Sequence, residues 1–231
     1  MTTNANPRRV HEIFETISGD YDKMNAIISF GQHDRWRRLA TDKISVNADE
    51  TVLDLCCGTG DWTGDLRQLT KNVLGLDFSE NMLAVARARF PEIEFIQGDA
   101  MALPFAADSF DAVTIGYGLR NLPDTMAALT EIFRVLKPGG RLVCLETSQP
   151  TLPIYKPIFS FYFAHIMPLF GQIFSKHKAE YRWLNKSAQA FPDAKKLSAL
   201  MKQAGFDSVS YQLHACGAAA THIAHKNKCY N

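Results

Sequence analysis

The sequence predicts an α/β fold: a doubly wound, mostly parallel sheet of roughly seven strands with a C-terminal antiparallel hairpin and helical additions. Three observations predict it. Short apolar runs alternate with helical segments of about 8–15 residues, as in parallel sheets. The apolar runs are nearly continuous, as expected of strands that helices cover on both faces. Two strand-like runs near the C-terminus are joined by a short connection around Gly217, which favours an antiparallel hairpin.

The strands and helices follow one another in order from residue 51. The apolar runs predict strands at TVLDL (51–55), NVLGLDF (72–78), IEFIQGD (93–99), FDAVTIGYG (110–118) and RLVCLET (141–147), then at 207–217 and 218–226. Helical patterns predict helices at 62–69, 79–90, 125–136 and 192–206. The sequence KPGG (137–140) is interpreted as a glycine-rich stop that ends the third of these helices.

These elements predict a single domain of four parts. Residues 1–45 form a helical cap of two or three pieces, and residues 46–149 form the sheet core that carries the ligand site. Residues 150–190 interrupt the sheet rhythm, and residues 191–231 supply the last helix and the hairpin.

The bulk composition excludes several classes of protein. The 231 residues are 46% hydrophobic and 21% charged, with a net charge of +1, so no nucleic-acid partner is expected. Five cysteines without a CxxC pair are interpreted as reduced thiols. We expect neither a secretory leader nor a transmembrane helix, since no apolar stretch has the required length. A cytoplasmic location is therefore predicted.

A glycine turn, CCGTGD (56–61), follows the first strand, where ligands of doubly wound sheets bind. Gly58 and Gly60 allow a ligand to approach the backbone closely. The spacing is neither GxGxxG nor a P-loop, so a pyrophosphate is not favoured. Asp77 ends the second strand, where a carboxylate can accept hydrogen bonds from both hydroxyls of a ribose. Asp99 ends the third strand and can accept from an adenine amine, so the pattern indicates a nucleoside without phosphates.

This pattern resembles the class I S-adenosylmethionine-dependent methyltransferases, which have a Rossmann-like fold. Their first motif is an acid followed by GxGxG, and here Cys56 stands where the first glycine is usual. Cys56 and Cys57 are interpreted as small buried fillers. The resemblance implies S-adenosylmethionine as methyl donor and no metal. The implied donor-binding residues are Gly58, Thr59, Gly60, Asp77, Asp99, Ala100 and Gly116.

Three longer stretches resemble the ubiquinone/menaquinone biosynthesis C-methyltransferases: YDKMNAIISFGQHDRW (21–36), GYGLRNLPD (116–124) and RVLKPGGRLVCLETSQP (134–150). The resemblance covers residues 8 to 226, and CCGTGDW and ETSQPT are more similar to the menaquinone branch. It implies C-methylation of the ring of demethylmenaquinol to menaquinol. Two alternatives stay open: a ubiquinone precursor or another prenylated quinol as substrate, and a donor-binding scaffold without catalysis.

The chemistry requires a carbon nucleophile, which a hydroquinone becomes when the neighbouring phenol loses its proton. Arg120 is interpreted as the electrostatic stabiliser of phenolate, because guanidinium is a poor base, and Asn121 as the group that orients the ring oxygen. His33 is the titrating candidate for the base, with a structural role beside Trp36 as the alternative. Tyr21 either contacts the substrate or packs between helices. Glu146 either supports the site from behind or forms a salt bridge.

The segment 150–190 is rich in Phe, Ile, Tyr and Met but is interrupted by prolines. It is interpreted either as a buried core helix or as a substrate- and lipid-facing wall for the prenyl chain, lined by Phe159, Phe161 and Phe163. In the second interpretation Lys176, His177 and Lys178 face lipid headgroups. The expected partners are therefore a prenylated quinol and the cytoplasmic face of a membrane, with a homodimer as an open alternative.

Overall fold

The computed structural model describes residues 7–17, 21–150, 155, 157 and 178–227. Its centre is a seven-stranded sheet with the order β3-β2-β1-β4-β5-β7-β6. The strands are β1 (Val52–Leu55), β2 (Val73–Asp77), β3 (Glu94–Gln97), β4 (Phe110–Gly116), β5 (Leu136–Thr147), β6 (Ser208–His214) and β7 (Ala219–His225).

Helices precede the sheet and connect its strands. They are α1 (Pro7–Ile17), α2 (Tyr21–Ser29), α3 (Gln32–Ile44), α4 (Asp61–Arg67), α5 (Glu80–Arg89), α6 (Thr125–Val135), α7 (Lys178–Ala190) and α8 (Ala194–Gln203). Short 3₁₀ turns cover Leu119–Asn121 and Ala215–Gly217. The first three helices lie in the segment where the sequence predicts a helical cap.

The strand directions confirm the predicted sheet. Strands β1 to β5 pair in parallel, whereas β7 runs antiparallel to both β5 and β6. From β1 the chain builds β2 and β3 on one side, then returns to add β4 and β5 on the other. The carboxyl ends of β1 and β4 therefore flank the switch point, where doubly wound sheets bind their ligands.

The KPGG sequence differs from its prediction. Helix α6 ends at Val135, but β5 already begins at Leu136 instead of Arg141. Leu136 pairs with Phe110, and the register shifts before Ala112 pairs with Arg141. Gly139 N–H donates to the carbonyl of Lys226, and Lys226 N–H donates to the carbonyl of Gly140. These bonds incorporate the glycine pair into the sheet as an irregular strand start.

Side-chain caps start three of the predicted helices. The Ser79 hydroxyl accepts from Met82 N–H, the Asp124 carboxylate from Met126 N–H, and Asp193 from Lys196 N–H. Each satisfies a donor that the first helical turn leaves free.

Hydrophobic clusters lie on both faces of the sheet, as the near-continuous apolar strands predict. One cluster contains residues of α6 and α8, such as Leu129 and Leu197. Another contains residues of α3, α4 and α5, such as Ile44, Leu66 and Leu83. A third, smaller cluster packs α1 against α5 and α7. It contains Val10, Ile13, Phe14, Ile17, Met82 and Leu184.

Most of the segment 150–190 lies outside the described residues. The predicted wall aromatics Phe159, Phe161 and Phe163 fall there, as do Lys176 and His177. Lys178 begins α7, but its side chain is outside the described part as well. None of the described helices has the length and apolar character needed to cross a membrane.

His222 makes the stability of this fold sensitive to pH. Its ring is 1% exposed, Nε2 donates to the carbonyl of Ala194 at 2.9 Å, and Nδ1 has no hydrogen-bond partner among the described residues. Burial lowers its pKa from 6.5. The unfolded chain therefore binds the proton more readily, and the free energy of unfolding should fall as pH drops below 6.5.

Replacing His222 by a residue that cannot be protonated tests this pH dependence of the unfolding free energy. A His222→Gln variant keeps a donor for Ala194 but cannot be protonated, so its loss of stability between pH 7.5 and pH 5.5 should be smaller than that of the parent protein. Urea unfolding at both pH values measures the difference. Equal losses in the two proteins would contradict a role for His222.

Candidate active site

A cavity of about 790 Å³ opens at the carboxyl edge of the sheet. Its walls come from the glycine turn after β1, from the segments after β2, β3 and β4, and from the helices α1, α2 and α3. The described wall includes Gly58, Thr59, Asp77, Asp99, Ala100, Gly116, Asn121 and His33, so most of the predicted site residues meet at one place.

The glycine turn takes conformations that favour glycine. Gly58 and Gly60 have φ values of 55° and 85°. A Cβ atom on Gly58 would meet nothing within 4 Å, whereas one on Gly60 would lie 3.2 Å from Ala86, Phe90 and Phe95. Gly58 therefore leaves open space at the cavity wall for a ligand, and Gly60 lets the turn pack against α5 and β3.

The two cysteines differ from their prediction, because both are half-buried and line the cavity. Cys56 stands where related motifs carry glycine. Its φ of 55° lies in the left-handed region that glycine favours. The surroundings of both thiols raise their pKa well above 9.0, chiefly through desolvation. Protonated thiols are poor nucleophiles and poor metal ligands.

Asp77 is a buried carboxylate at the end of β2. One oxygen accepts from Gly58 N–H and the other from Ser79 N–H, each at 2.9 Å. Burial raises its pKa to about 6, against these hydrogen bonds, which lower it. At neutral pH the side chain is therefore mainly ionised, and each oxygen keeps lone-pair capacity for a further donor.

Asp99 and Ala100 follow β3, and Gly116 ends β4. Asp99 is exposed, and one of its oxygens accepts from Met101 N–H at 2.8 Å. Ala100 is buried next to it. A Cβ atom on Gly116 would come within 2.9 Å of the Trp62 ring, so glycine keeps this strand end close to α4.

Asp54 also lines the cavity, although it is not among the predicted site residues. It is 1% exposed and accepts from the hydroxyls of Thr63 at 2.6 Å and Thr114 at 2.7 Å. Burial raises its pKa to about 6. The signal was present, because Asp54 is the acid of the motif around the glycine turn.

Asp22 of α2 connects the helical cap to the glycine turn. Its carboxylate accepts from the Thr59 hydroxyl at 2.8 Å and pairs with Arg89 at 3.0 Å. Arg89 also pairs with Asp61, which in turn lies 3.4 Å from Arg37 of α3. Asp22 belongs to the stretch 21–36 that resembles the family, but the sequence does not place it on the glycine turn, because the two partners are 37 residues apart in the chain.

Arg120 and Asn121 occupy different environments. Asn121 is 3% exposed and lines the cavity; its Nδ2 donates to the carbonyl of Tyr117 at 3.1 Å, and its Oδ1 accepts from Ser187 at 3.3 Å. Arg120 pairs with the buried Glu146 at 2.5 Å and is missing from the cavity wall formed by the described residues. Glu146 therefore forms the salt bridge that was one of its two predicted roles.

His33 lines the cavity and is held at both ring nitrogens. Its Nδ1 lies 2.8 Å from the Ser29 hydroxyl, and its Nε2 lies 3.3 Å from Asp34. The Asp34 carboxylate beside Nε2 favours the tautomer with its proton on Nε2, in which Nδ1 accepts from the Ser29 hydroxyl. Burial lowers the pKa of the ring, which keeps it neutral at pH 7. Trp36, its suggested neighbour, stacks on His214.

Tyr21 is the first residue of α2, but its side chain lies outside the described part of the chain. Its contact with substrate therefore stays a prediction.

The glycine turn offers a test of its packing. A Gly60→Ala variant should lose about 1–2 kcal/mol of unfolding free energy to left-handed strain and about 1–3 kcal/mol more to crowding against three side chains. Gly31→Ala is the matched control, since Gly31 has a φ of 71° with open space around it and should show only the strain. Urea unfolding that gives equal losses would argue against tight packing at Gly60.

The model of the ubiE/COQ5 methyltransferase family matches residues 2–226. The demethylmenaquinone methyltransferase of Lactococcus lactis is 58% identical over 98% of this chain and 93% of its own length. That of Lysinibacillus sphaericus is 52% identical, over 94% of this chain and 95% of its own.

Solved structures support the fold. An S-adenosylmethionine-dependent methyltransferase of Thermotoga maritima aligns with a TM-score of 0.70 and 19% identity, covering 94% of this chain and all of that one. The fold is that of the class I methyltransferases, as the sequence predicts.

Proposed function

Because the chain belongs to the ubiE/COQ5 methyltransferase family, we propose that its cavity places S-adenosylmethionine beside a prenylated quinol and methylates a carbon of the quinol ring. The substrate is demethylmenaquinol and the product is menaquinol, so the protein acts in menaquinone biosynthesis. The observation that carries this function is the 58% identity to a demethylmenaquinone methyltransferase along nearly the whole chain.

The residues of the glycine turn and of β2 fit the donor. Gly58 leaves room for the methionine part beside the backbone, and Thr59 and Gly60 complete the turn. Asp77 accepts hydrogen bonds from the ribose hydroxyls, and Asp99 accepts a hydrogen bond from the adenine amine. Ala100 and Gly116 lie along the cavity wall. Bound S-adenosylmethionine supplies an electrophilic methyl group, so the protein must align the ring carbon and exclude water.

The proton of the quinol is the second task. His33 is neutral and lines the cavity, so Nδ1 can accept the phenol proton once the Ser29 hydroxyl turns away, while Asp34 at Nε2 stabilises the imidazolium. Asn121 has one amide hydrogen beyond the one given to Tyr117, and this hydrogen orients the ring oxygen. As the ring carbon bonds to the methyl group, the carbon–sulfur bond breaks and S-adenosylhomocysteine forms. The ring carbon then releases its hydrogen as a proton to water, and the imidazolium of His33 returns its proton to the ring oxygen.

The role proposed for Arg120 changes in the light of its contacts. Its charge is already balanced by Glu146, whose other oxygen accepts from Arg120 N–H at 3.2 Å. We propose that this pair holds the 3₁₀ turn Leu119–Asn121 against β5 and thereby positions Asn121. Any stabilisation of phenolate by Arg120 then acts over a longer distance than direct contact.

Contact with a membrane surface is part of the proposal, because a prenylated quinol resides in the bilayer. The apolar sequence of residues 150–190 supports it, and so does Phe30, which is 68% exposed between the cavity-lining helices α2 and α3. We place the protein at the cytoplasmic face on this basis. Co-sedimentation with anionic vesicles measures the contact, whereas the homodimer stays a prediction that analytical ultracentrifugation can test.

A methyl-transfer assay tests the function. The protein is incubated with S-adenosylmethionine labelled in its methyl group and, separately, with demethylmenaquinol, a prenylated ubiquinol precursor and an unprenylated naphthoquinol. Label should enter the ring of demethylmenaquinol fastest. Preference for the ubiquinol precursor would move the assignment to the other branch of the family, and no label in any ring would reject catalysis.

A further inference from the structure

Helix α1 contacts the segment that carries the candidate ribose-binding carboxylate. Glu15 Oε1 accepts from the Ser79 hydroxyl at 2.7 Å and from Asn81 N–H at 3.3 Å. Ser79 N–H in turn donates to Asp77 Oδ1 at 2.9 Å. One residue, Ser79, therefore lies between a carboxylate of α1 and the carboxylate at the end of β2.

The hydroxyl of Ser79 is oriented by two partners. It accepts from Met82 N–H at 3.2 Å, so its single proton is directed at Glu15. Helix capping explains the bond to Met82 but does not require an acceptor from another helix. Glu15 thus adds a second restraint on the rotation of Ser79 and on its peptide N–H.

Phe78, between Asp77 and Ser79, is restrained from the same helix. The rings of His11 and Phe14 meet it edge to face at 5.5 Å and 5.7 Å between centroids. Both rings of α1 and Phe78 itself lie on the cavity wall. These contacts of α1 fall on Phe78, on Ser79 and on the first turn of α5, directly after Asp77 in the chain.

We propose that Glu15 is a positioning residue for the ribose of the methyl donor and acts through Ser79 on Asp77. This inference rests on the proposed role of Asp77 as the acceptor of the ribose hydroxyls. Without Glu15, Ser79 can rotate toward other acceptors, and the bond from its N–H to Asp77 is less well restrained. The carboxylate then matches the two hydroxyls less well, while the rest of the donor site is unchanged.

The competing explanation is that Glu15 only docks α1. A neighbouring contact separates the two explanations, because Asn81 Nδ2 donates to the backbone carbonyl of Glu15 at 3.2 Å and does not involve Ser79 or Asp77. An Asn81→Ala variant therefore weakens docking but leaves the path from Glu15 to Asp77 in place. It is the matched control for Glu15→Ala.

A comparison of two ligands measures the effect on the ribose. Dissociation constants for S-adenosylhomocysteine and its 2′-deoxy analogue are determined by calorimetry for the parent protein, Glu15→Ala, Glu15→Gln and Asn81→Ala. The parent should prefer the hydroxylated ligand. Glu15→Ala should reduce this preference about fivefold, a normal coupling between groups in one network. Glu15→Gln should restore it, since the amide oxygen also accepts from Ser79, and Asn81→Ala should retain it.

The outcomes separate the two levels of the argument. If Glu15→Ala weakens both ligands by the same factor, the preference is unchanged and Glu15 merely docks the helix, which overturns the inference. If the parent protein shows no preference for the 2′-hydroxyl, the proposed role of Asp77 itself is wrong. Thermal melts of each variant with and without S-adenosylhomocysteine confirm that every comparison is made on folded protein.

Discussion

An Asp77→Ala variant is expected to bind S-adenosylmethionine about 100-fold more weakly than the parent protein. Hydrogen bonds to a charged group contribute about 1.5–3 kcal/mol each, and two ribose hydroxyls would lose their acceptor together. The variant also removes the acceptors of Gly58 N–H and Ser79 N–H, so the glycine turn loses its restraint on the ligand side. Calorimetric titration with the donor and kcat/KM for methyl transfer measure the loss.

Two other variants show whether the loss is specific. Asp77→Asn retains one acceptor oxygen and should fall between the parent and the alanine variant. Asp99→Asn should have a smaller effect than Asp77→Ala, because Asp99 is exposed and its contacts compete with water. An Asp77→Ala protein that is folded and binds the donor normally would remove Asp77 from the donor site.

A Glu146→Ala variant is expected to lose about 3–5 kcal/mol of unfolding free energy, because it removes the carboxylate that pairs with the guanidinium of Arg120 in a site where the Arg120 side chain is only 10% exposed. The same carboxylate also accepts from Thr147 N–H and from Arg120 N–H. For a chain of this length the melting temperature should fall by roughly 2–4 °C for each kcal/mol. Urea unfolding and thermal melts measure both quantities.

Replacing both members of the pair distinguishes stability from catalysis. Arg120→Met combined with Glu146→Leu removes both charges, so it should restore most of the stability that Glu146→Ala loses. Because removing both members of the pair also removes the positioning of the turn at Asn121, the double variant should recover stability but not kcat. Adding Asn121→Ala then separates the two roles: kcat should fall no further if the pair acts only through Asn121, whereas a further, independent loss of kcat would support the sequence-based role of Arg120 as a stabiliser of phenolate.

The elements that carry local patterns could be predicted from the sequence. Alternating apolar runs and helices identify the sheet, because burial on both faces of a parallel strand leaves a signature within a few residues. The cap of α5 at Ser79 and the turn at Gly58 and Gly60 follow from residue types with specific backbone preferences. The exception, the early start of β5 at Leu136, depends on bonds to Lys226 near the other end of the chain.

The sequence by itself therefore determined the fold class, the bare glycine turn after the first strand and the acids at the strand ends, since each depends on neighbours along the chain. Only the tertiary structure decided which partners these residues have. It pairs Arg120 with Glu146, 26 residues away, and forms a hydrogen bond from Thr59 to Asp22, 37 residues away. It also brings Glu15 to Ser79 across 64 residues. Side-chain pairs at such separations depend on how helices pack over the sheet, and local periodicity records burial but not the identity of the partner.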